Sequence, residues 1–554
     1  MGSNRKHGVE RASSIESRDL SRLVQTTHFQ DSSVDEEENF NESTGFISVF
    51  DSIMNSSDCL NILEQRPGFA RLTVNLILCF RNVDNKDDAT IVKVIQGGLQ
   101  DLAISFPWCA GQIVNHGASK SSTGTYKIEP FEATPRLIVK DLRQDSSIPT
   151  MEQMEAAKFS HDCLSEEKLA PRSCVLINEP KAVPVLMVQA SFIRGGLALC
   201  FSAGHSVTDL TGLYTMILSF HGACHKRSFK EDELAIGNMP RCNMIPLLEP
   251  GEDFGKEIEQ QRPLPQQTRV KSRKRALIFG CMLRSCAVLI PTSFRVKAAR
   301  WFSQEPSLST LFGIPSLSPK RSIMSFTFAK KSIDILVADT RATLATEYVS
   351  TDDILTAFVW QAVTRARMWR LQTDCITTLA RSVNARRYLG IHEFYPGMAI
   401  NTAFTKLTGQ ELISMPLAKM ASKLREAIEP TTSNFGHYTR AVATALSNTA
   451  NKREVELLAR LDWSTDLILT SGASISEAMP LDFNLGLGSP LAVRVPTPST
   501  LGLQSMAAFM PKSRDGDWTL GLCLSDDDLQ RLEADELFTQ YASCAEALDF
   551  NEKA

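Results

Sequence analysis

Residues 183–212 read VPVLMVQASFIRGGLALCFSAGHSVTDLTG and set the frame for the rest of the chain. Residues 183–192 and 197–202 are rich in Val, Leu and Phe. Arg194-Gly195-Gly196 between them supplies the positive φ that a tight hairpin turn needs, so the stretch predicts a strand pair. The second strand runs into Gly204-His205-Ser206-Val207-Thr208-Asp209, and residues 210–220 then read as an apolar helix. His205 therefore stands just past a strand end, on a loop held by a sheet, where chemistry is often sited. With an ordinary pKa of about 6.5, a histidine there can serve as a general base near neutrality, and Asp209 follows four residues later. The His-x-x-x-Asp spacing alone does not separate that role from packing or helix capping.

Outward from this hairpin, residues 72–80 form another β-rich run and residues 89–106 a helical one, so the pattern from residue 46 onward is α/β. Residues 1–45 are polar, Ser-rich and acidic toward their end, which predicts a disordered tail. A first domain is expected over 46–240, a Pro-rich crossover over 241–322 and a second α/β domain over 323–554. Within the crossover, residues 269–300 carry nine Lys or Arg and no acid. A flexible connection is favoured there over a basic patch, and the Cys, Arg and Ser mixture of 277–300 also suits translated noncoding sequence. In the second half, a helix is expected at 351–371, capped by Ser350 or Thr351, with Asp352 and Asp353 at its positive end. A further helix at about 411–428, a strand at 465–470, a loop at 481–490, a hairpin around 514–517 and a last helix capped by Ser525 complete the reading.

The 554 residues exceed what one hydrophobic core usually organises, and 43% hydrophobic with 22% charged residues excludes wholesale disorder. A net charge of −4 gives no field that would draw nucleic acid or membrane. Thirteen cysteines without a CxxC pair read as reduced thiols, no long uncharged apolar run is present, and the N-terminal residues lack an apolar signal core. The cytosol is the expected compartment.

Several ordered motifs together resemble the BAHD acyltransferases, particularly the fungal trichothecene acetyltransferase-like branch. The 183–212 stretch is similar to that family's strand, Gly-Gly turn, strand and HxxxD loop. STDDILTAFVWQAVTRAR at 350–367 resembles its helix after the crossover, and RSVNARRYLGIHEFYPGMAIN at 381–401 its arginine-bearing strand and Tyr-Pro-Gly turn. LDFNLGLGSP at 481–490 resembles its DFGWG-type loop, and the resemblance spans about residues 46–549. It implies two chloramphenicol-acetyltransferase-like domains, each a mixed sheet with flanking helices, and a tunnel between them that admits acyl-CoA from one face and an acceptor from the other. His205 would take the acceptor's proton as the oxygen attacks the thioester and return it to the CoA thiolate.

The resemblance also implies that Asp209 pairs with an arginine, Arg386 or its neighbour Arg387, as structural support of the site. Thr470 is the candidate oxyanion donor, with Gly472 where the family has a tryptophan, a change expected to widen the acceptor pocket. Leu210 stands where the family has glycine, and Gly212 is expected to supply the flexibility. Asp482, Phe483, Gly486 and Gly488 are implied to be a structural loop away from the chemistry. Acyl-CoA, most simply acetyl-CoA, is then the co-substrate, with no permanently bound cofactor. The acceptor is a hydroxyl on a terpenoid, alkaloid or polyketide, and the chain acts as a monomer.

Rival readings are weaker. Gly204-His205-Ser206 starts like a nucleophile elbow with Ser206, but Thr208 stands where a small residue is needed, and neither His392 nor His437 has a convincing context. His221 and His225, with Cys224, share one helical face, yet no further donors follow at finger-like spacing. No metal site is predicted, and His116, His161 and Asp162 read as surface residues. The alternatives carried forward are an inactive acyl-CoA or metabolite-binding paralogue and an amide-forming condensation-type transferase.

Overall fold

The computed structural model describes residues 59–82, 86–160, 163–176, 182–262, 321–344, 348–458, 460–478, 480–496 and 505–544. The expectations for the 1–45 tail, the 269–300 basic segment, His161 and Asp162 lie outside the described residues.

Among the described residues three sheets are present. Strands β1 (Thr73–Arg81), β2 (Gln112–Ala118), β3 (Thr123–Glu129), β4 (Arg136–Asp141), β5 (Ala182–Pro184), β6 (Leu186–Ile193) and β7 (Gly196–Gly204) belong to the first half. Strands β8 (Arg321–Phe328), β9 (Ile376–Asn384), β10 (Ile400–Thr408), β11 (Leu467–Ser471), β12 (Ala492–Arg494), β13 (Met506–Phe509), β14 (Trp518–Ser525) and β15 (Ser543–Cys544) belong to the second. The five-stranded sheet has the order β12-β1-β7-β6-β4, the seven-stranded one β10-β9-β11-β13-β14-β8-β15, and the smallest β3-β2-β5.

β1 reads as a continuous apolar run rather than an alternating one because both of its faces are covered. Leu76, Leu78 and Phe80 pack with Ile91, Ile95 and Leu99 of the helix Asp88–Ser105 and with Leu213, Ile217 and Phe220 of the helix Leu210–Cys224. Ile77 and Cys79 face Met151, Met154 and Phe159 on the other side. β6 and β7 pair antiparallel up to Ile193 opposite Gly196, closed by Arg194 and Gly195, whose φ of +81° no β-branched residue would hold cheaply.

The seven-stranded sheet buries the helix Thr351–Arg367 against Phe326, Phe328, Leu520 and Leu522. Ser350 caps that helix through a reciprocal capping box with Asp353. The single helix expected at 411–428 is two helices, Gly409–Ser414 and Leu417–Glu426, because Pro416 lacks the N–H the continuous ladder requires. A third apolar cluster draws Leu63 and Phe69 from before β1, Ile245 and Ile258 from the crossover, and Val383, Tyr395, Met398, Phe435 and Tyr438 from the second half. It joins the two halves beside the His205 loop. β12 departs from chain order: it pairs antiparallel with β1, so residues 492–494 finish the edge of the first sheet.

Candidate active site

β7 ends at Gly204, and the His205 backbone N–H donates to the Leu72 carbonyl at 2.9 Å, which pins the residue where the strand stops. The side chain is half-buried, with its ring 4.9 Å, centroid to centroid, from Phe69. Its Nδ1 lies 3.0 Å from the Thr208 carbonyl oxygen. A carbonyl can only accept, so Nδ1 carries the hydrogen and the Nε2 lone pair is left for a substrate proton. Burial pulls the His205 pKa below the ordinary imidazole value, against the opposing effects of the Asp209 charge and of hydrogen bonding at His205 and Thr208. A lowered pKa favours the neutral ring, the form a base requires.

The Asp209 carboxylate is taken up by other partners. It caps the helix Leu210–Cys224 by accepting from Gly212 N at 2.8 Å, and its other oxygen accepts from Ala399 N at 2.9 Å. Arg386 donates to both oxygens, Nη1 to Oδ2 at 2.9 Å and Nη2 to Oδ1 at 3.0 Å, in a bidentate pair whose side chains are both almost wholly buried. Burial alone would raise the Asp209 pKa, but the Arg386 charge and hydrogen bonds, with those of Ala399 and Gly212, hold it below the usual carboxylate value. Arg386 stands on a 3-10 turn just past β9, not on the strand itself. Its remaining donors reach the Tyr395 and Gly397 carbonyls and Asn384 Oδ1, so all five N–H groups are used. Arg387 is exposed and donates to the Tyr388 hydroxyl.

Gly212 has a sharper reason than flexibility. A Cβ there would lie 2.1 Å from the Pro396 carbonyl oxygen and 2.3 Å from Thr208 Oγ1, so only glycine lets the first turn of the helix touch the 395–399 turn. Thr208 Oγ1 itself donates to that Pro396 oxygen at 2.8 Å.

A second buried ion pair, not found by sequence reasoning, braces the same loop. Arg241 Nη1 donates to Glu64 Oε1 at 2.8 Å and to the Val207 carbonyl at 2.7 Å. Glu64 also accepts from Met398 N and Asn61 N, at 2.8 and 2.7 Å. Burial pushes the Glu64 pKa up to about 7, against the pull of the Arg241 charge and those two N–H groups. The Arg241 guanidinium also lies over the Trp108 ring, 4.5 Å from its centroid. Glu64 sits in an Asn-Ile-Leu-Glu-Gln run and Arg241 in an irregular crossover, so no local pattern marks either.

Thr470 lies half-buried on β11, in parallel register with Ala508. Two residues on, Gly472 is closely approached by its neighbours. A Cβ at Gly472 would meet Leu210 Cδ2 at 3.1 Å, the Phe509 carbonyl at 3.2 Å and Pro511 Cδ at 3.5 Å. Leu210, the residue after Asp209, therefore packs against Gly472 and brings the end of β11 against the start of the helix.

The 481–488 loop sits at the opposite end of that helix, about 22 Å along its axis for 15 residues at 1.5 Å each. Phe483 is fully buried among Phe80, Phe201 and Phe220, with φ at +53°, while Gly486 and Gly488 are at +71° and +69°. Asp482 accepts from His225 Nε2 at 2.6 Å, and His221 Nε2 lies 3.6 Å from the same oxygen.

Comparison with known proteins agrees in both halves. Residues 72–224 match the family described as trichothecene 3-O-acetyltransferase-like N-terminal domain, and residues 319–539 match the transferase family. The chain is similar to the O-acetyltransferase dmxR13 of Cryptosporiopsis sp. (strain 8999), 36% identical over 87% of this chain and 96% of that one. It is also similar to the trichothecene 3-O-acetyltransferase of Saccharomyces cerevisiae, 35% identical over 88% and 96%. Among solved structures, TRI101 of F. graminearum complexed with coenzyme A and T-2 mycotoxin aligns with a TM-score of 0.75 at 31% identity, over 88% of this chain and 99% of that one. No helix among the described residues is long and apolar enough to cross a membrane.

Proposed function

Because this chain belongs to the trichothecene 3-O-acetyltransferase-like family of acyltransferases, we propose that it moves an acetyl group from acetyl-CoA to a hydroxyl of a secondary metabolite, with His205 as general base. The observation that supports the mechanism is the Nδ1 contact to the Thr208 carbonyl, which sets the tautomer and leaves the Nε2 lone pair free to take a proton. An alcohol is a poor nucleophile until a positioned base takes its proton, an effect worth roughly a hundred- to ten-thousand-fold. Nε2 accepts the hydroxyl proton as the oxygen forms its bond to the thioester carbonyl carbon. The tetrahedral intermediate then breaks its carbon–sulfur bond, and the proton on Nε2 passes to the departing CoA thiolate.

Asp209 and Arg386 take no proton in this scheme. They hold the loop, and with it the imidazole, against the 395–399 turn. Thr470 is the proposed donor to the oxyanion, where a preoriented hydroxyl lowers the barrier without reorganising. Acetyl-CoA enters as co-substrate and coenzyme A leaves, in keeping with the TRI101 structure complexed with coenzyme A, and the acceptor class follows the O-acetyltransferases that the chain is similar to. One chain supplies His205, Asp209, Arg386 and Thr470, which supports a monomer as the working unit. The cytosol is the proposed compartment, in keeping with thirteen cysteines that form no CxxC pair.

The test is CoA release from acetyl-CoA with purified protein and a panel of hydroxylated fungal metabolites, each product checked for the added acetyl mass. Acceptor-dependent release that disappears in His205→Ala supports the proposal. Acetyl-CoA binding with no release for any acceptor would leave a binding protein instead.

A further inference from the structure

We propose that His221, His225 and Asp482 form a binding site for a borderline divalent cation, zinc in the first instance, that staples the C-terminal end of the helix Leu210–Cys224 to the 481–488 loop. Helical spacing puts the two imidazoles on one face, with ring centroids 4.6 Å apart, but supplies no third donor nearby in sequence. The fold brings one from 257 residues away: Asp482 Oδ1 lies 2.6 Å from His225 Nε2 and 3.6 Å from His221 Nε2. One donor atom from each of the three residues falls within 4.8 Å of the other two.

Four-coordinate zinc with bonds of about 2.0–2.2 Å sets its donors roughly 3.3 Å apart. The His221–Asp482 separation is within a few tenths of an ångström of that value. The His225–Asp482 separation has to open by about 0.7 Å, which a small rotation of the half-exposed His225 ring provides. The two imidazoles and one carboxylate are a donor set that suits zinc better than magnesium or calcium, which prefer all-oxygen shells.

The scaffold under the donors is rigid on both sides. Both histidines belong to the last turn of a helix packed into the first core or cap its end. Asp482 precedes Phe483, which is fully buried and meets the His221 ring edge-on at 5.5 Å. The Asn484 N–H donates to the same Asp482 oxygen at 3.2 Å and fixes the carboxylate. The three side chains are 29%, 37% and 47% exposed, so a cation can enter and keep a water as its fourth ligand. The site is remote from His205, and its occupancy is expected to change stability and not the chemical step.

The experiment uses full-length protein stripped with a chelator. Zn2+ at stoichiometric and tenfold levels should raise Tm by at least about 2 °C, as a ligand bound only by the folded state must, while Mg2+ and Ca2+ should not. Co2+ should give one visible d–d band per chain between about 500 and 650 nm, without the near-ultraviolet thiolate band that binding at cysteine would produce. Both signals should be lost in His221→Gln/His225→Gln. His221→Gln alone, which leaves the His225–Asp482 hydrogen bond in place, should weaken Co2+ binding at least tenfold and serves if the double variant folds poorly. No band, a thiolate band, or an equal Zn2+ shift in the variants would overturn the proposal.

Discussion

Replacing Arg386 by Met tests the brace behind the imidazole. The substitution leaves the Asp209 carboxylate buried with only the Gly212 and Ala399 N–H groups as partners, and strips the donor from the Tyr395 and Gly397 carbonyls. Removing one partner of a buried ion pair costs about 3–5 kcal/mol. At roughly 2.1 cal/mol/K per residue, a cooperative unit of this size changes by about 1 kcal/mol per °C, so Tm should fall by about 3–5 °C. The sign of the pH dependence follows from the same contacts. In the native protein Asp209 has a lowered pKa, and its contribution is present above the unfolded value near 3.9 and lost as pH falls through the folded one. Without Arg386 burial is largely unopposed and raises that pKa, so the Tm gap between variant and wild type should narrow between pH 7 and pH 4. Asp209→Asn/Arg386→Met should be less destabilised than the sum of its parts by about 1–3 kcal/mol. Thermal melts across pH with parallel CoA-release kinetics read all of this. A Tm within 1 °C of wild type, or strict additivity, would refute the reasoning. Reversing both charges should not rescue activity, because an arginine at 209 would face the Gly212 and Ala399 N–H groups and an acid at 386 would face two carbonyls.

Other expectations follow from single contacts. His205→Ala should lower kcat/KM by about 100- to 10,000-fold while Tm moves little. Because burial depresses the His205 pKa, the acid limb of the wild-type kcat/KM profile should lie below pH 6.5, and a limb centred above that would contradict a neutral enclosed base. Thr470→Val should reduce kcat by about 100- to 1,000-fold with little change in the acetyl-CoA KM; an unchanged kcat would remove Thr470 as oxyanion donor. Gly212→Ala must displace a backbone carbonyl 2.1 Å away and should cost about 1–3 kcal/mol in chemical denaturation, despite alanine's better helix propensity.

The elements readable in the sequence are those whose signals are local. The β6–β7 hairpin shows in its Gly-Gly turn, the helix Thr351–Arg367 in its Ser350 cap, and the His205 loop in the abrupt change from strand to helical period. Arg386 opposite Asp209 came from resemblance, since nothing within either segment points across 177 residues. The Glu64–Arg241 pair escaped because a buried charge carries no mark in a single sequence until its partner is known. The packing of Leu210 against Gly472 escaped for the same reason: each looks like an isolated departure until the fold brings them together. Pro416, inside the helix expected at 411–428, is a local signal of the break between the two helices.

The pairing of β12 with β1 bears on how the polypeptide matures. During synthesis the ribosome delivers β1, β6 and β7 several hundred residues before the strand that finishes their sheet. Until residue 494 emerges, β1 keeps a bare row of N–H and C=O groups, and the aromatic nest of Phe80, Phe201 and Phe220 waits for Phe483. A fragment ending in the crossover should therefore be prone to self-association through that edge, and the two halves should not separate into independently folding pieces.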